Sequence, residues 1–212
     1  MIEFDHIAIG CRTLAEGAAY VFEKTGLKIP VGGTHPLMGT HNLLMATGSD
    51  SFLEIIAIDP SAPKPAHNRW FGLDNVDFPV PRPHAWILRS NDLDHDLGIA
   101  KDIGIDFGTA LSVTRGDMTW RFAVRKDGAI PLDGAAPMIM EWPEMPVHPA
   151  EKMVDLGTRI KNITLETPHA ESINMLLNTL SHKKIPVDIR TAQTPRLSVT
   201  LVQRDGRETA LD

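Results

Sequence analysis

The chain states one pattern twice, and that repetition limits its fold more than any other feature. Residues 3–10, EFDHIAIG, alternate apolar and polar side chains as a half-buried strand does. Thr13 then stands as a helix N-cap with Glu16 at the capping-box position, a helix is expected over 14–24, and Gly26 stops it. LKIPV, THNLLMAT and FLEIIAID read as three further strands, with Gly32-Gly33, Gly39 and the turn GSDS breaking the chain between them. The order restarts at residue 84. HAWILRS is a strand, DLDHDLGIAKDIG a helix led by Ser90 or Asn91, and IDFGTALSVTR, MTWRFAVR and PMIMEWP supply three more strands. Twenty residues separate His6 from Gly26, and twenty separate His84 from Gly104. Two β-α-β-β-β units therefore look like copies of one another.

The units divide the chain into a first module over 1–60, a connector over 61–83, a second module over 84–148 and a remainder over 149–212. The connector is rich in proline, yet its RWFGLD core is too apolar for a free linker and should pack against something. The remainder begins a third round. RIKNITLET is a strand, Pro168 opens the helix PHAESINMLLNTLSH, and IPVDIRT and RLSVTLVQR are strands. Matching KIP at 184–186 with KIP at 28–30 puts Asn162 opposite His6, and this partial βαββ unit is expected to cover a sheet edge or to build a subunit contact, as in a homodimer.

With the two full units laid over one another, His6 corresponds to His84, and Glu54 in SFLEIIA to Glu141 in PMIMEWP. Each glutamate interrupts an apolar strand. A lone carboxylate there costs several kcal/mol of desolvation unless it is paired or bound to a cation. Two histidines and two carboxylates suit a borderline divalent metal such as Zn, Ni, Co, Mn or Fe. The same doubling is what a duplicated structural pair, His6–Glu54 and His84–Glu141, would show.

The residues FDHIAIG, FLEIIAIDP, HAWILRSNDLD and MIMEWP resemble the vicinal oxygen chelate superfamily, which includes glyoxalase I, extradiol dioxygenases, methylmalonyl-CoA epimerase and bleomycin-resistance proteins. GGTHPLMGTHNLL, RWFGLD and MTWR resemble, more narrowly, the glyoxalase-like domain proteins of bacteria, over nearly the whole chain. The resemblance implies an α+β fold in which paired βαβββ modules form a cupped mixed sheet around a metal site. It also implies that His6, Glu54, His84 and Glu141 are the ligands, in the order of the glyoxalase I set. The third round, with Asn162 in place of the histidine, should bind no metal.

Other residues are candidates for the cleft. His41 and Asn42 start a strand expected beside Glu54, whereas His35 reads equally well as a solvated loop histidine. Arg121, mid-strand in MTWRFAV, would grip a substrate anion or pair internally. Trp86, together with Trp70, Phe71, Trp120 and Trp142, would wall an apolar pocket or sit in ordinary core. The RGD at 115–117 reads as a turn.

A metal held by four protein groups would polarise a small 2-oxo or vicinal-oxygen substrate, and Glu54 or Glu141 would take the proton as general base. That is isomerase or lyase chemistry through an enediolate. A shell of two histidines and one carboxylate would instead be that of a non-haem iron dioxygenase. The rival class is a metal-free binding protein of the bleomycin-resistance type, with the same groups used as hydrogen-bonding anchors. Composition removes other classes. A net charge of −6 with no basic cluster argues against nucleic acid, and no 18-residue apolar stretch is present to span a membrane. The single cysteine, Cys11, excludes an internal disulfide and fits a reducing compartment, and with no leader pattern at the N-terminus a cytoplasmic protein is expected.

Overall fold

The computed structural model describes residues 1–144, 147–180 and 185–212. Its first half runs β1 (Ile2–Gly10), α1 (Leu14–Thr25), β2 (Val31–His35), β3 (Thr40–Ala46) and β4 (Phe52–Ile58). The second runs β5 (Arg82–Ser90), α2 (Leu93–Asp102), β6 (Thr109–Arg115), β7 (Met118–Val124) and β8 (Met138–Glu141). The remainder holds β9 (Arg159–Thr167), α3 (Ala170–Thr179), β10 (Val187–Thr191), β11 (Arg196–Val202) and β12 (Glu208–Leu211). Among the described residues no helix is long and apolar enough to cross a membrane.

Helix boundaries follow local chemistry. Thr13 Oγ1 accepts the Glu16 amide at 3.2 Å, and Gly26 closes α1 in the left-handed region at φ 74°. For α2 the cap is Asp92, two residues or one beyond the expected Ser90 or Asn91. Ser90 instead accepts the Asp92 amide and donates to the buried Asp96 carboxylate at 2.6 Å. The end of the expected third helix, Ser181 and His182, and Lys184 of the matching KIP lie outside the described residues.

The first ten elements build one eight-stranded mixed sheet in the order β2-β3-β4-β1-β5-β8-β7-β6. Within each module the first strand pairs in parallel with the fourth, and β1 pairs antiparallel with β5, joining the two modules across an approximate twofold. The sheet curls until its edge strands approach, with Gly33 of β2 against the Arg115 side chain of β6. On the convex side α1 packs so closely that a Cβ at Gly17 would lie 2.4 Å from Ile55 Cγ2. Ile7, Ile9, Leu53 and Ile55 are fully buried, each contributing about 1.5–3 kcal/mol of transfer free energy.

Two expectations change. LKIPV does not form the second strand, which lies four residues later over VGGTH and contains both glycines. The third round is not a copy of the modules: β9 pairs in parallel with β10, the strand after its helix, and antiparallel with β11, giving the order β10-β9-β11-β12. It also has a short last strand, β12, paired to β11. This sheet packs on β5 and α1. The apolar connector core is a single helical turn, Trp70–Gly72, whose three residues are all buried.

Candidate functional site

The concave face closes over a small cavity of about 30 Å³, room for a water molecule or two. His6, His35, Asn42 and Glu54 form its polar wall. Phe52, Trp70, Phe71, Trp120, Phe122, Met140 and Trp142 form the apolar one, and Arg115 sits at the side where the sheet edges meet. All of these belong to one chain.

A bulge in β1 aims the polar wall. Phe4 pairs with Leu88 and His6 with Ile87, so Asp5 is an extra residue without its own partner on β5. The kink brings Asp5 to the His6 side of the strand, where His6 Nδ1–H donates to Asp5 Oδ1 at 2.6 Å. Asp5 is fully buried and saturated, its Oδ2 also accepting from Trp142 Nε1 at 2.8 Å and His148 Nε2 at 2.9 Å. Burial alone would raise its pKa, but the hydrogen bonds and charges of His148 and His6 hold it far below the carboxylate range.

His6 stacks on Phe52 with ring centroids 4.2 Å apart and turns Nε2 toward Glu54 Oε2 at 3.6 Å, a charge contact longer than a hydrogen bond. Burial pulls the imidazole pKa down, yet Asp5 and Glu54 together raise it to about 8. At neutral pH His6 is therefore an imidazolium between two carboxylates. Burial likewise opposes the charge on Glu54, and His6, His35 and Asn42 more than offset it, leaving the pKa below its ordinary value. Asn42 Nδ2 donates to Glu54 Oε1 at 2.6 Å, and the Gly33 amide donates to Asn42 Oδ1 at 2.9 Å, which fixes the orientation of the amide. His35, lowered to about 4 by burial, is neutral, with Nδ1 bonded to Thr40 Oγ1 at 3.0 Å. Its Nε2 lies 3.4 Å from Asn42 Nδ2.

The glycine pair makes this wall possible. A Cβ at Gly32 would lie 2.2 Å from Asn42 Oδ1, and one at Gly33 would lie 2.8 Å from Arg115 Cδ. The residues expected to break a strand instead let two site side chains cross it.

The four groups expected as metal ligands are not brought together. His6 and Glu54 share the cavity, but His84 and Glu141 do not line it. The register shows why. Ile7 pairs with Trp86, and the pairs on either side are His6–Ile87 and Ala8–Ala85, so exchanging the modules carries His6 onto Ala85 and Ala8 onto Ile87. Glu54 pairs with Ala8 and Met138 with Ile87, so Met138 stands where Glu54 stands. The sequence match was one residue out in the first strand, and in a structure of period two such a slip exchanges the faces.

His84 occupies the bulge position of Asp5, since Ala85 pairs with Ala8 and Pro83 with Ile9. Its Nε2–H donates to the Phe71 carbonyl at 2.7 Å, its ring stands edge-on to Phe78, and burial lowers its pKa. It faces a separate cavity of about 700 Å³ between the second module and the C-terminal sheet. Glu141 lies on the convex side, accepting the first amide of α2 (Leu93, 3.2 Å) and the Arg121 guanidinium (2.9 Å). Among the described residues no group of three or more His, Cys, Asp or Glu side chains is disposed to hold a metal. The donors do not fit the four-ligand metal site that the resemblance implies.

Three substrate candidates also face elsewhere. Arg121 pairs with Glu141 and Asp94. Trp86 is buried on the opposite face and donates to the Ala135 carbonyl at 3.0 Å. His41 alternates with Asn42 and is absent from the cavity wall. Trp70, Phe71, Trp120 and Trp142 do form its walls. Asp5, His148 and Arg115 carry no signal in the sequence: a bulge leaves no mark in the apolar pattern, and Arg115 reads as part of a turn.

A family model described as a glyoxalase-like domain matches residues 4–181. A hypothetical protein from Staphylococcus aureus has a similar structure, with a TM-score of 0.67 at 12% identity over 100% of this chain and 99% of that one. A hypothetical protein from Bacillus halodurans aligns with a TM-score of 0.45 at 16% identity, over 68% of this chain and 96% of that one. Methylmalonyl-CoA epimerase from Streptomyces coelicolor gives 0.41 at 18% identity over the same shares of the two chains, 68% and 96%. A search among curated protein sequences gave no match.

Proposed function

We propose a function for a chain that belongs to the glyoxalase-like domain family, within the vicinal oxygen chelate superfamily: proton transfer at a carbon next to the carbonyl of a small oxygen-bearing molecule. The observation that carries it is the buried row Asp5–His6–Glu54, an imidazolium held against a carboxylate at the wall of an aromatic cavity.

Each group has a role its surroundings support. His6, anchored through Nδ1 by Asp5, presents Nε2–H to the cavity and would donate to the substrate carbonyl oxygen. Glu54 is the base. While it faces His6 alone its basicity is suppressed, but a carbonyl oxygen that takes the Nε2–H removes much of that interaction and lets its pKa rise. Glu54 then takes the C–H proton. The C–H electron pair becomes the carbon–carbon double bond of an enolate, and the carbonyl π pair moves to oxygen, where the imidazolium stabilises it. Asn42 holds Glu54 in place and is itself fixed by Gly33. Protonation of the enolate from either side completes an isomerisation, and expulsion of a leaving group completes a lyase reaction. The aromatic walls exclude water, which strengthens each of these interactions.

The test is hydrogen–deuterium exchange. Full-length protein in D₂O, followed by proton NMR, should catalyse exchange at the carbon next to the carbonyl in a panel of small 2-oxo compounds and hemithioacetals, and Glu54→Gln should abolish it. Ligand binding without exchange in the wild type would overturn the catalytic reading and leave a sequestering protein.

A further inference from the structure

Two donors at the same cavity are left unused, and they point to one class of ligand. Arg115 is the first. Arg69, Arg89, Arg121, Arg125 and Arg159 each bond a carboxylate or a carbonyl, whereas Arg115, though substantially buried, has no hydrogen bond or ion pair among the described residues. Its guanidinium lies over the Trp120 ring, 5.8 Å from the centroid, and its stem runs along Gly33. Glu54 is near enough to act on it electrostatically without pairing. The second donor is Trp70 Nε1–H. The residue is 3% exposed, and this nitrogen is a buried polar atom with no partner. Native proteins leave few such atoms unpaired, and Trp70 is one of the residues that line the cavity.

We propose that Arg115 and Trp70 form a carboxylate-anchoring subsite facing Glu54 and His6, so that the substrate is a small 2-oxo acid. This rests on the proton-transfer reading of the same cavity. The donor set fits. A guanidinium binds a carboxylate through two parallel N–H groups, and the indole adds a third donor that cannot act as an acceptor. Glu54 would repel a second anion placed against it, whereas a 2-oxo acid puts its charge at one end and its exchangeable C–H at the other. Arg115 also lines the open groove formed with Pro30, Val31, Met118, Lys152 and Met153, so it borders both that groove and the inner cavity. An anion arriving through that groove meets Arg115 first. The cavity as it stands admits only a water or two, so binding requires side chains of its lining to move.

The experiment uses calorimetry and NMR exchange in parallel on the full chain, with 2-oxobutanoate and its uncharged amide as probes. The wild type should bind the acid about tenfold or more tightly than the amide. In Arg115→Gln that ratio should fall to near one, Arg115→Lys should restore part of it, Trp70→Phe should reduce it severalfold, and Arg121→Gln should leave it unchanged. A wild type without preference for the acid, or a preference that survives Arg115→Gln, overturns the subsite. Glu54-dependent exchange with no preference for the acid defeats the anchor and leaves proton transfer standing. Arg115-dependent binding of the acid with no exchange does the reverse.

Discussion

The two modules share a bulge and use it differently. In β1 the extra residue is Asp5, a buried carboxylate that grips His6, His148 and Trp142 from behind the cavity wall. In β5 the extra residue is His84, which leans away from the cup and bonds the Phe71 carbonyl. The next position is His6 in one module and Ala85 in the other, and on the neighbouring parallel strand Glu54 of the first module corresponds to Met138 of the second. At these matched positions one half of a symmetric cup is therefore charged and the other apolar, the second module's charge at the cavity coming instead from Arg115 at its edge. A duplicated backbone keeps its irregularities, but the chemistry they support can survive in one copy alone.

The largest expected effect lies at the bulge. Asp5→Asn strands the His6 imidazolium without its counter-charge and weakens the hydrogen bonds from His148 and Trp142, and should destabilise the fold by about 3–5 kcal/mol in urea unfolding. His84→Gln at the matching position breaks one hydrogen bond to a neutral carbonyl. A loss as large as that of Asp5→Asn would mean that the modules do not differ as described.

Second is the contrast between the two glutamates. Glu54→Gln should lower exchange by at least about 100-fold, within the usual contribution of a general base. Glu141→Gln should leave the rate within about twofold and lower stability by about 1 kcal/mol, because it weakens a helix-end contact and a half-exposed ion pair. Comparable rate losses in the two variants would restore the symmetric four-group site.

Third is pH. His6 has a folded pKa raised from 6.5 to about 8, so it contributes stability that is fully present below about 6.5 and lost as pH rises through about 8. The stability gap between wild type and His6→Gln should shrink across that window by about 2 kcal/mol. The exchange rate should fall above pH 8, as the imidazolium loses its proton, and a rate that climbs smoothly through pH 9 would remove His6 from the proposed role. The acid limb has the opposite sign. Asp5 and Glu54 have depressed values, so their contribution is present above the ordinary carboxylate range and is lost as pH falls below it.

The smallest effect is expected from His84→Gln itself, about 1 kcal/mol with no change in the pH profile of exchange. A shifted profile would show that the outer cavity reaches the inner one through Phe71, which lines both.

The sequence by itself determined the modules. Alternation, caps and glycine stops depend on neighbours in the chain, and Thr13, Gly26, the paired helices and most strands could be read from them. It also singled out His6 and Glu54 as polar residues in apolar strands and Asn42 as the start of a strand beside Glu54, and these do meet. What it could not carry was register. Pairing His6 with His84 by pattern was one residue out, because a bulge adds a residue without disturbing hydrophobicity, and a single step in a strand turns a side chain to the other face. Only the closed sheet decided that Asp5 stands behind His6, that Gly32 and Gly33 make room for Asn42 and Arg115, and that His84 and Glu141 face away. Those facts depend on contacts between residues far apart in the chain, and such contacts exist only after the strands have paired.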